Sequence, residues 1–275
     1  MRRTVLSLMI LLLGVSLPAA AGQATGKSSG QAAQQPPQAA QQPTEAPEER
    51  PAVEAIRTTQ DNLERLRLAE EFLQKYPESR FLGAVYATMA GAHRMQNNYP
   101  KAVEYGEKAL EFNPSDIFSK MVIADALGEG RNPLAPDYQQ KLERALVLAQ
   151  EAVAELPAYL DSLPKQPGIP EQEYTRQRNL ALANAYSILG FVHLLRAQFA
   201  DAETALQQAV DLKPDPNDWL RLGEAYFRQR KYEEARGAFQ RAVELGEGSI
   251  RESAQTRLER VERVLAAQKP ATAPK

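Results

Sequence analysis

From Pro51 to Lys269 apolar residues recur at spacings of three and four, the pattern that lays one core-facing stripe along an α-helix. Leu206, Ala209 and Val210 show it, as do Phe239, Ala242 and Val243. Small residues keep a longer register. Ala102, Ala109 and Pro114 stand at intervals of seven and five, as do Ala145, Ala152 and Pro157, and again Ala202, Ala209 and Pro214. Ala235 and Ala242 repeat the first interval, with Glu247 where a proline would fall. Upstream of each set a second helical stretch has a small residue at its middle: Ala90, Ala124, Gly190 and Gly223. Tyr86, Tyr186 and Trp219 precede three of these by four residues.

Small residues on two antiparallel helices let the backbones cross closely, near the short end of the usual separation of about 8–10 Å. The prolines Pro114, Pro157 and Pro214 are expected just past a helix end, where proline stops continuation. Asp215-Pro216 supplies an N-cap and a first-turn proline. On these residues the chain resembles a tetratricopeptide repeat protein of the bacterial exported type. The fullest copy reads Trp219-Leu-Arg-Leu222-Gly223-Glu-Ala-Tyr226, then Tyr232, Ala235, Phe239 and Ala242. Another runs Tyr186, Leu189, Gly190, Phe199, Ala202, Leu206, Ala209 and Pro214, and a third Tyr86, Met89, Ala90, Tyr99, Ala102, Ala109 and Pro114. The resemblance implies an all-α, right-handed α-solenoid of helix-turn-helix repeats with flanking capping helices.

Spacing at the shared alanine is 43, then 57, then 33 residues from Ala102 through Ala145 and Ala202 to Ala235. Against a period of about 34, two insertions follow. One is 128–140 (GEGRNPLAPDYQQ), between paired helices; the other is 158–178, between repeats, with Pro164, Pro167 and Pro170. Glu171 to Arg178 has no breaker and extends the next helix backward. Repeats are expected over 83–116, 117–157, 183–215 and 216–248 within a solenoid spanning 51–269. A degenerate half repeat (51–82) precedes them, with Val53–Arg57 pairing a helix over Thr59–Tyr76. A capping helix follows over 249–268, with Ile250, Ala254, Leu258, Val261, Val264 and Leu265 on one side.

The ends differ in composition. Arg2-Arg3, an apolar run from Val5 to Leu17, Pro18 and Ala19-Ala20-Ala21 read as an export signal (1–21) cleaved after Ala21. The run is too short for the ~20 residues a membrane span needs, and retention as an anchor is the competing reading. Residues 22–50 contain no Val, Ile, Leu, Met, Phe, Trp or Tyr and are expected to form a disordered Gln/Pro/Ala tether, with 270–275 a disordered tail. The chain is 275 residues, 43% hydrophobic and 25% charged, so a sizeable core is available. With 33 Lys+Arg against 35 Asp+Glu the net charge is −2, and −4 once Arg2 and Arg3 leave with the signal. That mixed balance argues against nucleic acid or anionic lipid as the main partner. Zero cysteines exclude disulfides, thiolate metal sites, cysteine nucleophiles and a lipidated Cys.

For such repeats the resemblance implies a groove, lined by the first helix of each pair, that takes a protein or peptide segment. Helical phase puts Arg94, Met95, Phe118, Met121 and Asp125 on that wall. Further along come Ser187, Phe191, Leu194, Leu220, Glu224, Phe227 and Arg228. The alternative for Phe118, Phe191 and Phe227 is packing between repeats. Chaperone-binding members of the family grip a terminal carboxylate with Lys and Asn; the matching places here hold Ala87, Gly91, Val122, Asn184 and Ile188, so that clamp is missing.

Other chemistry finds little footing. His93 and His193 each lie three residues after the mid-helix small residue, where the last repeat has Tyr226. They read as packing residues and not as metal or catalytic groups. Glu70-Glu71 and Glu233-Glu234 sit among Lys and Arg as solvated surface. Ala21 to Ser28 matches a relaxed phosphate loop, but between a signal and a tether it lacks the strand and helix that make the loop work. No catalytic, cofactor or metal site is expected. The residues support a non-enzymatic protein-interaction scaffold, periplasmic or extracellular, without a membrane span after cleavage. Two readings compete with it: an envelope assembly factor acting by self-association as a homo-oligomer, and an enzyme whose site the insertions build.

Overall fold

Side-chain caps fix where several helices begin. Asp61 accepts from the Glu64 amide at 2.8 Å, Asp116 from Ser119 at 3.0 Å and Asp215 from Asn217 at 2.9 Å, each satisfying an amide the first turn leaves free. The computed structural model describes residues 46–165 and 168–268; the expected signal, tether residues 22–45 and the tail 270–275 lie outside them. The described residues form eleven helices and no strand. These are α1 (Glu49–Thr58), α2 (Asn62–Lys75), α3 (Leu82–Met95), α4 (Tyr99–Phe112), α5 (Ile117–Glu129) and α6 (Tyr138–Ser162). They continue as α7 (Glu171–Leu195), α8 (Phe199–Leu212), α9 (Pro216–Arg228), α10 (Tyr232–Leu245) and α11 (Gly248–Gln268).

Three of the tight turns within pairs share one device. Asn97, Ala197 and Arg230 have φ of 59°, 57° and 63°, and the next amide reaches back to the carbonyl of His93, His193 or Tyr226 at 2.9–3.0 Å. This left-handed closure satisfies carbonyls that the last helical turn exposes.

Pairing follows the small residues. Ala90, Ala102, Ala109, Ala124, Ala145, Ala152, Ala202, Ala209, Ala235 and Ala242 are all at most 1% exposed. Gly190 and Gly223 have no room for a side chain, since a Cβ would fall 2.5 Å from Leu206 in one case and from Phe239 in the other. The backbones therefore cross closely at α3–α4, α5–α6, α7–α8 and α9–α10. The first helices α1, α3, α5, α7, α9 and α11 also touch one another in series, while second helices meet at most at isolated points. An inner layer in continuous contact and a splayed outer layer give a ribbon that curves around the first helices. At the far end Leu258 and Val261 of α11 close over Ala235 and Phe239.

Three elements depart from the expected boundaries. Helix α1 starts at Glu49, inside the expected tether, because the Glu49 carboxylate accepts from the Ala46 amide and from Ser79 Oγ and is itself buried. Helix α6 runs through Pro157 to Ser162, so this proline does not mark a helix end. Its ring forgoes one helical hydrogen bond, a cost of about 3 kcal/mol. Offsetting that, Leu156, Tyr159 and Leu160 continue the stripe onto Ala181, Leu182 and Ala185 of α7. The insertion at 128–140 contributes a loop of only 130–137, since α5 and α6 take up its ends.

Candidate inner-wall interface

The wall of first helices carries a chain of charge contacts, each linking one first helix to another. Arg94 on α3 donates to Asp125 on α5 and lies 5.3 Å over the Tyr99 ring. Arg221 on α9 reaches across α7 to Glu129 at the end of α5, 2.8 Å away. On the way its guanidinium stacks 4.0 Å from the Phe191 ring, and Arg131 covers the same ring at 5.4 Å. Ser187 on α7 donates to Asp218 on α9. Burial pushes the Asp218 carboxyl up to about 6, with Arg221 and the Ser187 hydroxyl holding it back in part. A raised carboxyl in a cleft can serve acid–base chemistry. This one is buried with an oxygen already engaged by Ser187, and it locks α7 to α9.

The anticipated wall residues divide into three groups. Phe118, Met121 and Phe191 are buried, so they belong to the packing between repeats and present no face to a partner. Phe118 joins the cluster of Ala90, Ala102 and Val122, and Met121 joins the central cluster with Leu146 and Ile188. Met95 turns to α2, where the Asn62 amide donates to its sulfur at 3.7 Å. Leu194 packs with Leu206 and Leu222. The rest stay partly open: Arg94, Asp125, Ser187, Leu220, Glu224 and Phe227 are half-buried and Arg228 is exposed. Around α9 they form a second patch. Leu220 and Phe227 pack on Leu258 and Val261, Arg260 lies 4.5 Å over the Phe227 ring, and Glu224 is 3.7 Å from Arg228 and 3.8 Å from Arg257.

Reasoning from phase missed Glu129, Arg131, Asp218 and Arg221. Arg221 sits beside Leu220 in sequence, and only its long side chain brings it onto the wall; its partner Glu129 is 92 residues away, beyond any local pattern.

The two histidines face the second helices. His93 is buried and stacks on Tyr105 at 5.3 Å, with burial and nearby Lys101 lowering its pKa. His193 Nδ1 is 3.1 Å from Gln198 Oε1, and at the equivalent place Tyr226 donates to Gln207 at 3.2 Å. Among the described residues no three His, Cys, Asp or Glu side chains gather as a metal site, and no helix is long and apolar enough to cross a membrane.

Residues 193–250 match the family model described as tetratricopeptide repeat. Among solved structures the chain is similar to TTC0263, a thermophilic TPR protein in Thermus thermophilus. The identity there is 20%, over 76% of this chain and 96% of that one, with a TM-score of 0.51. It is also similar to the assembly chaperone of RpL4 (Acl4, residues 1–338), with 17% identity over 80% of this chain and 89% of that one and a TM-score of 0.54. No curated protein matches the chain in sequence. These likenesses are likenesses of fold.

Proposed function

This chain is a tetratricopeptide-repeat solenoid, and on that premise we propose that it is a non-catalytic scaffold holding a segment of a partner protein against the wall of first helices. One observation carries the reading. The α9 wall residues that remain partly open, Leu220, Glu224, Phe227 and Arg228, mix apolar surface with paired charge as binding surfaces do. The fold supports a protein-interaction role in general terms, and the α9 patch is where we place it. Export by the 1–21 signal puts the work in the periplasm or outside the cell.

A photo-reactive amino acid at Leu220 or Arg228 of the full-length protein, expressed in its own cell, tests the assignment. The expected result is one defined cross-linked band from both positions, removed by the charge reversals Arg94→Glu and Arg228→Glu. Bands that arise only from outer positions such as Gln207 or Arg241, or that survive both reversals, would overturn it. N-terminal sequencing of the mature protein checks the export assignment: a start at Gly22 is expected, and one at Met1 refutes cleavage.

A further inference from the structure

Three first helices place a large ring four residues before their small mid-helix residue, and the second repeat does not. Tyr86, Tyr186 and Trp219 hold that place elsewhere; here it is Lys120. Each ring is half-buried and packs against a core cluster drawn from its own second helix and the one before. Trp219, for instance, packs against the cluster that holds Leu206 and Val210 of α8 and Ala238 of α10. Lys120, at 4% exposed, is buried more deeply than those half-buried rings, and its ammonium is drawn aside to Glu151 and Glu155, both 2.9 Å away and one turn apart on α6. Although burial opposes it, the hydrogen bonds that its ammonium donates to Glu155 and Glu151 keep its pKa raised.

The space a ring would occupy is left as an open cleft of about 340 Å³ between α4 and α6. That is near the lower limit for a ligand site. Leu110, Pro114 and Leu148 supply its apolar part, and the other five lining residues are charged. At the rim Glu107 pairs with Arg144 at 2.9 Å, beside Glu111 and Glu151. Four carboxylates, Glu155 included, thus surround two cations, a local surplus of two negative charges.

We propose that this outer cleft is a docking site for an aromatic side chain of a partner protein, borne on a segment with Lys or Arg beside it. The opening stands where three sibling repeats place a ring, with Leu110, Pro114 and Leu148 as its apolar floor and charged side chains around it. The Arg144 guanidinium at the rim can lie over the ring face. The surplus carboxylates favour a neighbouring cation and disfavour an acidic segment. The site lies on the side of the ribbon opposite the wall of first helices and stands independently of the reading given for that wall.

The test uses full-length protein with methyl-labelled leucine and a blocked Lys-Tyr-Lys tripeptide as probe, with Lys-Leu-Lys and Glu-Tyr-Glu as comparators. The probe is expected to shift the Leu110 and Leu148 methyl resonances, and both comparators to bind at least about tenfold more weakly. Lys120→Tyr places the sibling ring in the cleft and is expected to raise the Tm and abolish those shifts. Glu111→Lys, at an exposed position, keeps the fold and weakens the probe severalfold, so the idea remains decidable if Lys120→Tyr misfolds. Unmoved methyl resonances, equal binding of the leucine or glutamate peptide, or a probe indifferent to Glu111→Lys would overturn the proposal.

Discussion

The second and last repeats are built on one plan and differ in how far each follows it. In the last, Trp219 and Leu222 on α9 share a core cluster with Ala238 of α10, and Phe239 leaves no room for a Cβ at Gly223. This repeat lies within the matched stretch 193–250. In the second, Lys120 replaces the ring, a loop of 130–137 replaces the tight turn, and α6 runs a turn and a half past the expected stop. Both bury their alanines completely. The close helix crossing is thus what a repeat must keep, whereas the aromatic position four residues earlier is open to exchange.

That contrast breaks most sharply at the exchanged position itself. Trp219→Ala should cost about 3 kcal/mol in chemical denaturation, the lower end for emptying a large aromatic site, because the ring is half-buried. The matching Lys120→Ala should cost only about 1 kcal/mol, because Glu151 and Glu155 are each close to half exposed and water can replace the ammonium. Equal losses would mean that Lys120 holds its repeat together as the ring does.

An effect of intermediate size belongs to Asp218, which only the last repeat possesses. Its folded pKa of about 6 lies above the usual 3.8, so the folded chain takes up this proton before the unfolded chain does. Stability contributed by this group is therefore present at low pH and lost as pH rises through about 6. Relative to Asp218→Asn, the parent protein should gain roughly 2 kcal/mol between pH 7 and pH 4. Parallel stability curves for the two proteins would show that the carboxyl is not held up by burial.

The smallest effect concerns a turn the second repeat has lost. Ala197 carries φ of 57°, which costs an L-residue about 1–2 kcal/mol relative to glycine. Ala197→Gly should therefore raise the Tm by a few degrees, with a gain of about 1 kcal/mol. An unchanged or lowered Tm would mean that the turn bears no strain.

Much of this architecture could be read before folding. The alanine–alanine–proline register located the paired helices, and Asp215-Pro216 marked the start of α9 because caps and prolines act within a few residues of themselves. What stayed hidden acts at longer range. Pro157 halts a helix in isolation, and only the α7 surface beneath Leu156 and Leu160 carries α6 past it. The Glu49 anchor depends on Ser79, thirty residues on, in a stretch with no apolar pattern. On the inner wall, phase separates one side of a helix from the other but does not measure depth. Phe118, Met121 and Phe191 were placed on the correct layer and proved to be packed beneath it. Arg221 escaped notice since its reach, not its Cα position, brings it to Glu129.

The unequal contact of the two helical layers has a mechanical side. One layer acts as a hinged spine, and the other as separate ribs able to fan or close by small rotations about it. The ribbon can then change its curvature while every close-crossing pair stays intact, so a bound object would be gripped by the bending of the whole array more than by the motion of any single loop.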